Sequence, residues 1–287
     1  MLPLPVDIPI AEAAQRRRRT LGWMFWASLG WVALIIFLAA FADLLPIQDP
    51  NALRSASNLG PGIDHLLGTD SLGRDMFARV VYAARVSLTV GFASIAIGLI
   101  FGGTMGVIAG YYRGRIDKVL MAIADVMLAF PALVFALAIV TFLGQNLRNV
   151  TIAIAVISIP GIARIVRAST LSFAQRDFVL AARTLGASNR RIIVREILPN
   201  VAIPIGSFSF IAVALAVVGE GALAFLGLSV QAPTATWGGM INDGRSFLQD
   251  NPNLSLIPSG VLFITVLALN FAGDALRARF DTKDAGL

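Results

Sequence analysis

Residues 86–112 read VSLTVGFASIAIGLIFGGTMGVIAGYY, an unbroken run without Asp, Glu, Lys or Arg. A helix of about 20 apolar residues crosses the roughly 30 Å hydrocarbon core of a bilayer. This run is long enough, and too uniformly apolar for the alternating strands of a barrel. Charge-free runs also occupy Thr20–Ala42, Val126–Leu147, Ile197–Gly219 and Asn251–Gly273, and a shorter one, Asn149–Ala163, leads into Arg164 and Arg167. The runs predict six spans near 21–43, 85–110, 119–143, 150–169, 202–226 and 255–274. Only helices and closed barrels satisfy their backbone groups in lipid, so the fold class is all-α integral membrane.

Composition supports this. Of 287 residues, 57% are hydrophobic and 14% charged, and the mean hydropathy is +0.78. An ordinary soluble domain is about 25% charged, and one soluble core stops growing near this chain length. The net charge of +6 suggests nucleic acid until the charges are placed. With a cytoplasmic N-terminus, 17 of the 23 Lys and Arg fall inside: Arg16–Arg19, Arg113 to Lys118, the seven arginines from Arg164 to Arg195, and Arg277 to Lys283. That bias follows the positive-inside rule. It puts both termini in the cytoplasm and points to topology and anionic lipid rather than a nucleic-acid partner. With no Cys and one His, His65, the chain has no disulfide and lacks the usual metal ligands. His65 reads as a plain loop residue.

The predicted order is a cytoplasmic tail at 1–20, a first span at 21–43, an extracytoplasmic loop at 44–84, a five-helix core at 85–281 and a short tail at 282–287. Arg16–Arg19, an apolar stretch and Ala40-Phe41-Ala42 resemble a signal peptide. A cleavable core is only about 7–15 residues, however, so an uncleaved span is expected. In the second span Gly98, Gly102, Gly106 and Gly110 recur every fourth position. Small residues on one face permit close helix contact, whether as static packing or as a sliding surface. Pro131, Pro160-Gly161 and Pro204 predict kinks or loosened helices.

The inside loop RIVRASTLSFAQRDFVLAARTLGASNRRIIVREILPN, 164–200, carries a second pattern. Asp177 can cap a short helix to about Leu185, Gly186 can stop it, and Ser188 can cap a second helix ending near Leu198, before Pro199. The predicted hairpin, 174–199, lies under the membrane. Phe178, Ala181, Ala182 and Leu185 share one side of its first helix, with Arg183 among the arginines around it. Alanine and glycine let another surface approach closely. A DNA-reading hairpin is disfavoured by tethering between spans. An interfacial hairpin without a partner and a docking element both remain, the second favoured.

Ala181-Ala182, Gly186 and Ile197-Leu198-Pro199 resemble the docking loop of ABC importer permeases, with Leu180 where that family often has Glu. Four further segments are similar, in order, to the C-type subunit of the dipeptide and oligopeptide (peptide/nickel) importers: HLLGTDSLGRDMFARVVYAARVSL at 65–88, DVMLAFPAL at 125–133, ALAFLGLSVQAPTATWGGMINDGR at 222–245 and LNFAGDALRARFD at 269–281. The resemblance implies the type I permease fold in the inner (cytoplasmic) membrane. It also implies a B-type permease partner, two ATPase domains and an extracytoplasmic peptide-binding protein. The chain has no G-x-x-x-x-G-K-[ST] phosphate loop, so it is not an enzyme and carries no cofactor; ATP and Mg belong to partners. Nickel, glutathione or sugar cargo is the alternative, and a proton-coupled carrier or a membrane scaffold a more distant one.

Asp125 and Glu220 stand within or beside apolar runs, where an ionised group is costly and suggests function. Each reads either as an interhelix bond or as part of the pathway. In the outer loop Asp70, Arg74 and Asp75 read as turn, cap and ion-pair chemistry or as contacts to the binding protein. Trp237 and the stretch Asn242–Asn253 form a second outer surface with the same two readings.

Overall fold

The computed structural model describes residues 22–53 and 55–284. The tail with Arg16–Arg19 and the last three residues of the second tail lie outside the described residues. The described chain is helical: α1 (Trp23–Ala40), α2 (Met76–Tyr112), α3 (Gly114–Ala129), α4 (Ala132–Leu143), α5 (Leu147–Phe173), α6 (Asp177–Thr184), α7 (Asn189–Phe225), α8 (Trp237–Gly244) and α9 (Asn253–Asp284). Among these, α1, α2, α5, α7 and α9 are each long and apolar enough to cross a membrane, and α3 with α4 makes a sixth candidate span bent by 85°.

The bend falls at Phe130-Pro131. Proline drives the residue before it out of the helical region, and Phe130 is extended, at φ −84° and ψ 137°. The kink expected in a single span at 119–143 is therefore a break between two helices. Pro160 and Pro204, by contrast, lie inside unbroken helices.

α2 begins nine residues before the expected 85, because Asp75 caps it by accepting from the Ala78 amide at 2.8 Å. At about 1.5 Å per residue its 37 residues span roughly 55 Å, so its ends stand beyond the hydrocarbon. Arg79 and Arg85 are thus helical residues above the apolar run. Arg85 donates to the Ala39 carbonyl and to Asp43, joining α2 to the end of α1.

The glycines of α2 set the packing. A Cβ at Gly98, Gly102, Gly106 or Gly110 would come within 2.5–2.8 Å of Ile162, Ile159, Ala163 and Thr170 on α5. The stripe is a near backbone-to-backbone contact with α5. Gly91 packs α2 against Val213 and Val217 of α7, which makes α2 the central helix. Two ion pairs, Arg167 to Asp117 (2.5 Å) and Arg164 to Asp125 (2.6 Å), tie α5 to α3. Trp31 donates its indole N–H to Thr265, linking α1 to α9.

The chain crosses back and forth, so the connections gather at two ends. The α6 hairpin marks one, the hairpin end. The 41–75 loop, α8 and the α4–α5 turn mark the other, the loop end.

Candidate functional site

At the hairpin end, α6 is a two-turn helix held by one buried anchor, Val179, fully excluded from solvent. Asp177 is its first helical residue, not its cap; Arg176 occupies that position without a side-chain bond. The stop is at Gly186, as expected. At φ +78° it lets the Gly186 amide donate to Arg183 and the Ala187 amide to Ala182, both at 3.0 Å, which closes a Schellman turn. Ser188 accepts from the Arg191 amide at 3.4 Å and opens α7.

The second arm does not end at Leu198. A π-helical stretch, Ile192–Ile197, carries the chain past Pro199, the Leu198 amide donating to the Ile193 carbonyl. Proline lacks an N–H and crowds the preceding turn, and the wider turn accommodates it. The arm and the following span are thus one continuous helix, and a displacement of the hairpin is a displacement of α7.

The hairpin is clamped to the end of α2. The Arg183 guanidinium lies over the Tyr111 ring at 5.2 Å, and the Tyr111 hydroxyl donates to Asn189 at 2.7 Å. Arg183 thus ties α6 to the end of α2 while remaining exposed. Leu185 is 87% exposed, and Phe178, Leu180 and Ala181 are exposed beside it. The four side chains form a contiguous exposed apolar patch on the first arm and its turn.

At the loop end, Glu220 is fully buried and sits at the centre of a polar knot. It accepts from Ser87 of α2 at 3.0 Å and from Ser229 at 2.8 Å. Ser87 in turn accepts the Trp237 backbone N–H at 3.2 Å. Trp237 is also fully buried and donates its indole N–H to the Val80 carbonyl.

The acidic loop is similarly inward. Asp70 accepts from the Leu72 and Arg74 amides and pairs with the Arg74 Nε at 2.6 Å. His65 bridges Ser55 and Asp75, each at 2.8 Å. Asp70, Arg74 and Asp75 are 8%, 7% and 6% exposed, so their polar atoms hold the loop on the start of α2. Among the described residues no group of three or more His, Asp or Glu side chains could hold a metal.

Residues 102–283 match the family model described as "Binding-protein-dependent transport system inner membrane component". The chain belongs to this family. It is a permease subunit of an ABC importer. The chain is 42% identical over 253 residues to a dipeptide transport system permease protein, DppC, of Alkalihalophilus pseudofirmus, covering 88% of this chain and 83% of that protein. It is 40% identical over 286 residues to the glutathione transport system permease protein GsiD of Escherichia coli O157:H7, covering 99% and 94%. The fold is also similar to the inward-facing MetNI methionine ABC transporter, with a TM-score of 0.60 at 20% identity over 71% of this chain and 97% of that one.

In this permease the candidate residues separate into two groups. Phe178, Ala181, Ala182, Leu185, Gly186 and Arg183 all fall on the hairpin, with Arg183 as its clamp to α2. Asp125 is an interhelix partner of Arg164, and Glu220 an internal knot. Trp237, expected on an outer surface, is in the core, and His65 is a bridge rather than a plain loop residue. Tyr111, Asn189, Ser87 and Ser229 were not singled out in the sequence. Tyr111, Asn189 and Ser87 act across long separations, such as the 78 residues between Tyr111 and Asn189, for which the local pattern holds no signal; Ser229 lies only nine residues from Glu220, but past the end of its helix.

Proposed function

We propose that this permease is the C-type subunit of an importer of di- and oligopeptides in the inner membrane. It would form half of a pathway with a B-type permease, served by two ATPase domains and an extracytoplasmic peptide-binding protein. The hairpin end and both termini face the cytoplasm in this reading, as the arginine distribution requires. The observation that carries it is the Leu185 turn: a fully presented apolar knob on an arm continuous with a span. Relatives named for dipeptide and glutathione transport support peptide cargo.

The mechanism is a two-state exchange. ATP closes the ATPase pair, the pair carries the docked hairpin with it, and α7 transmits the displacement into the spans. ATP drives this only by binding one arrangement better than the other. Leu185→Asp is expected to abolish co-purification of the ATPase subunits and ATP-dependent peptide uptake while leaving thermal stability unchanged, since the side chain touches little of its own chain. Wild-type association and uptake by that variant would refute the coupling role.

A further inference from the structure

The loop end holds a cavity of about 410 Å³ between the 226–236 connection and α8, closed on one side by the α4–α5 turn. Binding sites for small ligands run from about 300 to 1,000 Å³. Its lining is amide-rich and charged: Gln145, Gln231, Asn242 and Thr234, with Arg79 and Asp243 supplying opposite charges. Gln231 donates to Gln145 across it at 3.1 Å, so two distant segments meet here.

Its two charges have bonding capacity to spare. Arg79 is 4% exposed, yet among the described residues its guanidinium, with five N–H donors, makes one hydrogen bond, to the Pro50 carbonyl at 3.3 Å, and one long ion pair, to Asp70 at 3.5 Å. Asp243 is exposed and, among the described residues, makes no hydrogen bond and no close ion pair; it acts on Arg79 only through its field. The knot of Glu220, Ser229 and Trp237 fixes the cavity's wall to α2 and α7, so the wall moves with the helix that carries the hairpin.

We propose that this cavity is a transit site for the peptide itself, with Asp243 receiving its α-ammonium, the amide side chains its main chain and Arg79 favouring its carboxylate. An ammonium needs a carboxylate with open acceptor oxygens, a peptide main chain needs groups that both donate and accept, and the terminal carboxylate needs a guanidinium with free donors. The cavity offers all three. This inference rests on the peptide reading above.

The test uses the assembled transporter in proteoliposomes and an unblocked dipeptide of alanine and photo-leucine. ATP-dependent uptake of dialanine is measured first; its absence overturns the peptide reading and this site with it. With uptake present, photolabelling is expected within 227–243, competed by dialanine but not by N-acetyl-dialanine. Losing one charge-assisted bond should weaken labelling by about tenfold in Asp243→Asn. Thr234→Trp, which fills the space, should abolish it. Both variants should keep wild-type thermal unfolding, because both side chains are exposed. Labelling elsewhere, equal competition by the acetylated peptide, or an unchanged Asp243→Asn would overturn the site while leaving peptide transport standing.

Discussion

Replacing Gly106 with Ala tests whether the small-residue face of α2 is a packing contact. The added methyl would lie 2.5 Å from the Ala163 carbonyl oxygen, 2.7 Å from the Val166 Cβ and 2.9 Å from the Arg167 amide nitrogen. Two of these are backbone atoms of α5 and cannot rotate away. Restoring ordinary contact requires α2 and α5 to part by roughly 0.9 Å, the difference between 3.4 and 2.5 Å. Over-packing of this kind costs about 1–3 kcal/mol, and the better helix propensity of Ala returns up to about 1 kcal/mol. With the full propensity gain the net effect should be a loss of about 0–2 kcal/mol, about 1–3 kcal/mol below Gly103→Ala. Gly103 is the internal control, since a Cβ there meets nothing within 4 Å; Gly103→Ala should be neutral or stabilising by up to about 1 kcal/mol. Reversible unfolding in mixed micelles, followed by tryptophan fluorescence, ranks the two variants. If Gly106→Ala unfolds at the same denaturant fraction as Gly103→Ala, or later, the close-contact reasoning is wrong.

Glu220→Ala should strand the Ser87 and Ser229 hydroxyls in the core and cost about 1–3 kcal/mol, read as a lower unfolding temperature. Unchanged stability with lost uptake would instead place Glu220 in the pathway. The Asp117–Arg167 pair is partly exposed, at 15% and 33%, so Asp117→Asn should cost no more than about 1 kcal/mol; swapping the two charges should recover most of it in the same assay. The Tyr82 hydroxyl, and then Arg85, hold the Asp43 carboxyl below the usual carboxylate range. Its link to α2 is therefore complete above the ordinary carboxyl pKa and is lost as the pH falls through the lowered one. Hydrogen exchange at 41–45 should rise in acid below about pH 4, and Asp43→Asn should remove that dependence.

Run length and the Ala-Ala, Gly, Pro pattern of 181–199 announced the helical class, the apolar segments that form five spans and a bent sixth candidate, and the position of the hairpin. These are local properties: solvent preference depends on the composition of a segment, and the Gly186 stop on one residue's backbone freedom. The glycine spacing likewise announced a close contact on one face of α2, though not that α5 is the partner. The tertiary structure decided everything that depends on which segments meet. It turned Glu220 and Trp237 inward, since polar atoms in an apolar interior must find partners and theirs come from residues up to 157 positions away. It drew Asp70, Arg74 and Asp75 into the loop for the same reason. It also fused the second hairpin arm to α7, because a π turn rather than a helix end absorbed Pro199. The sequence thus located the hairpin, and packing alone joined it to a span.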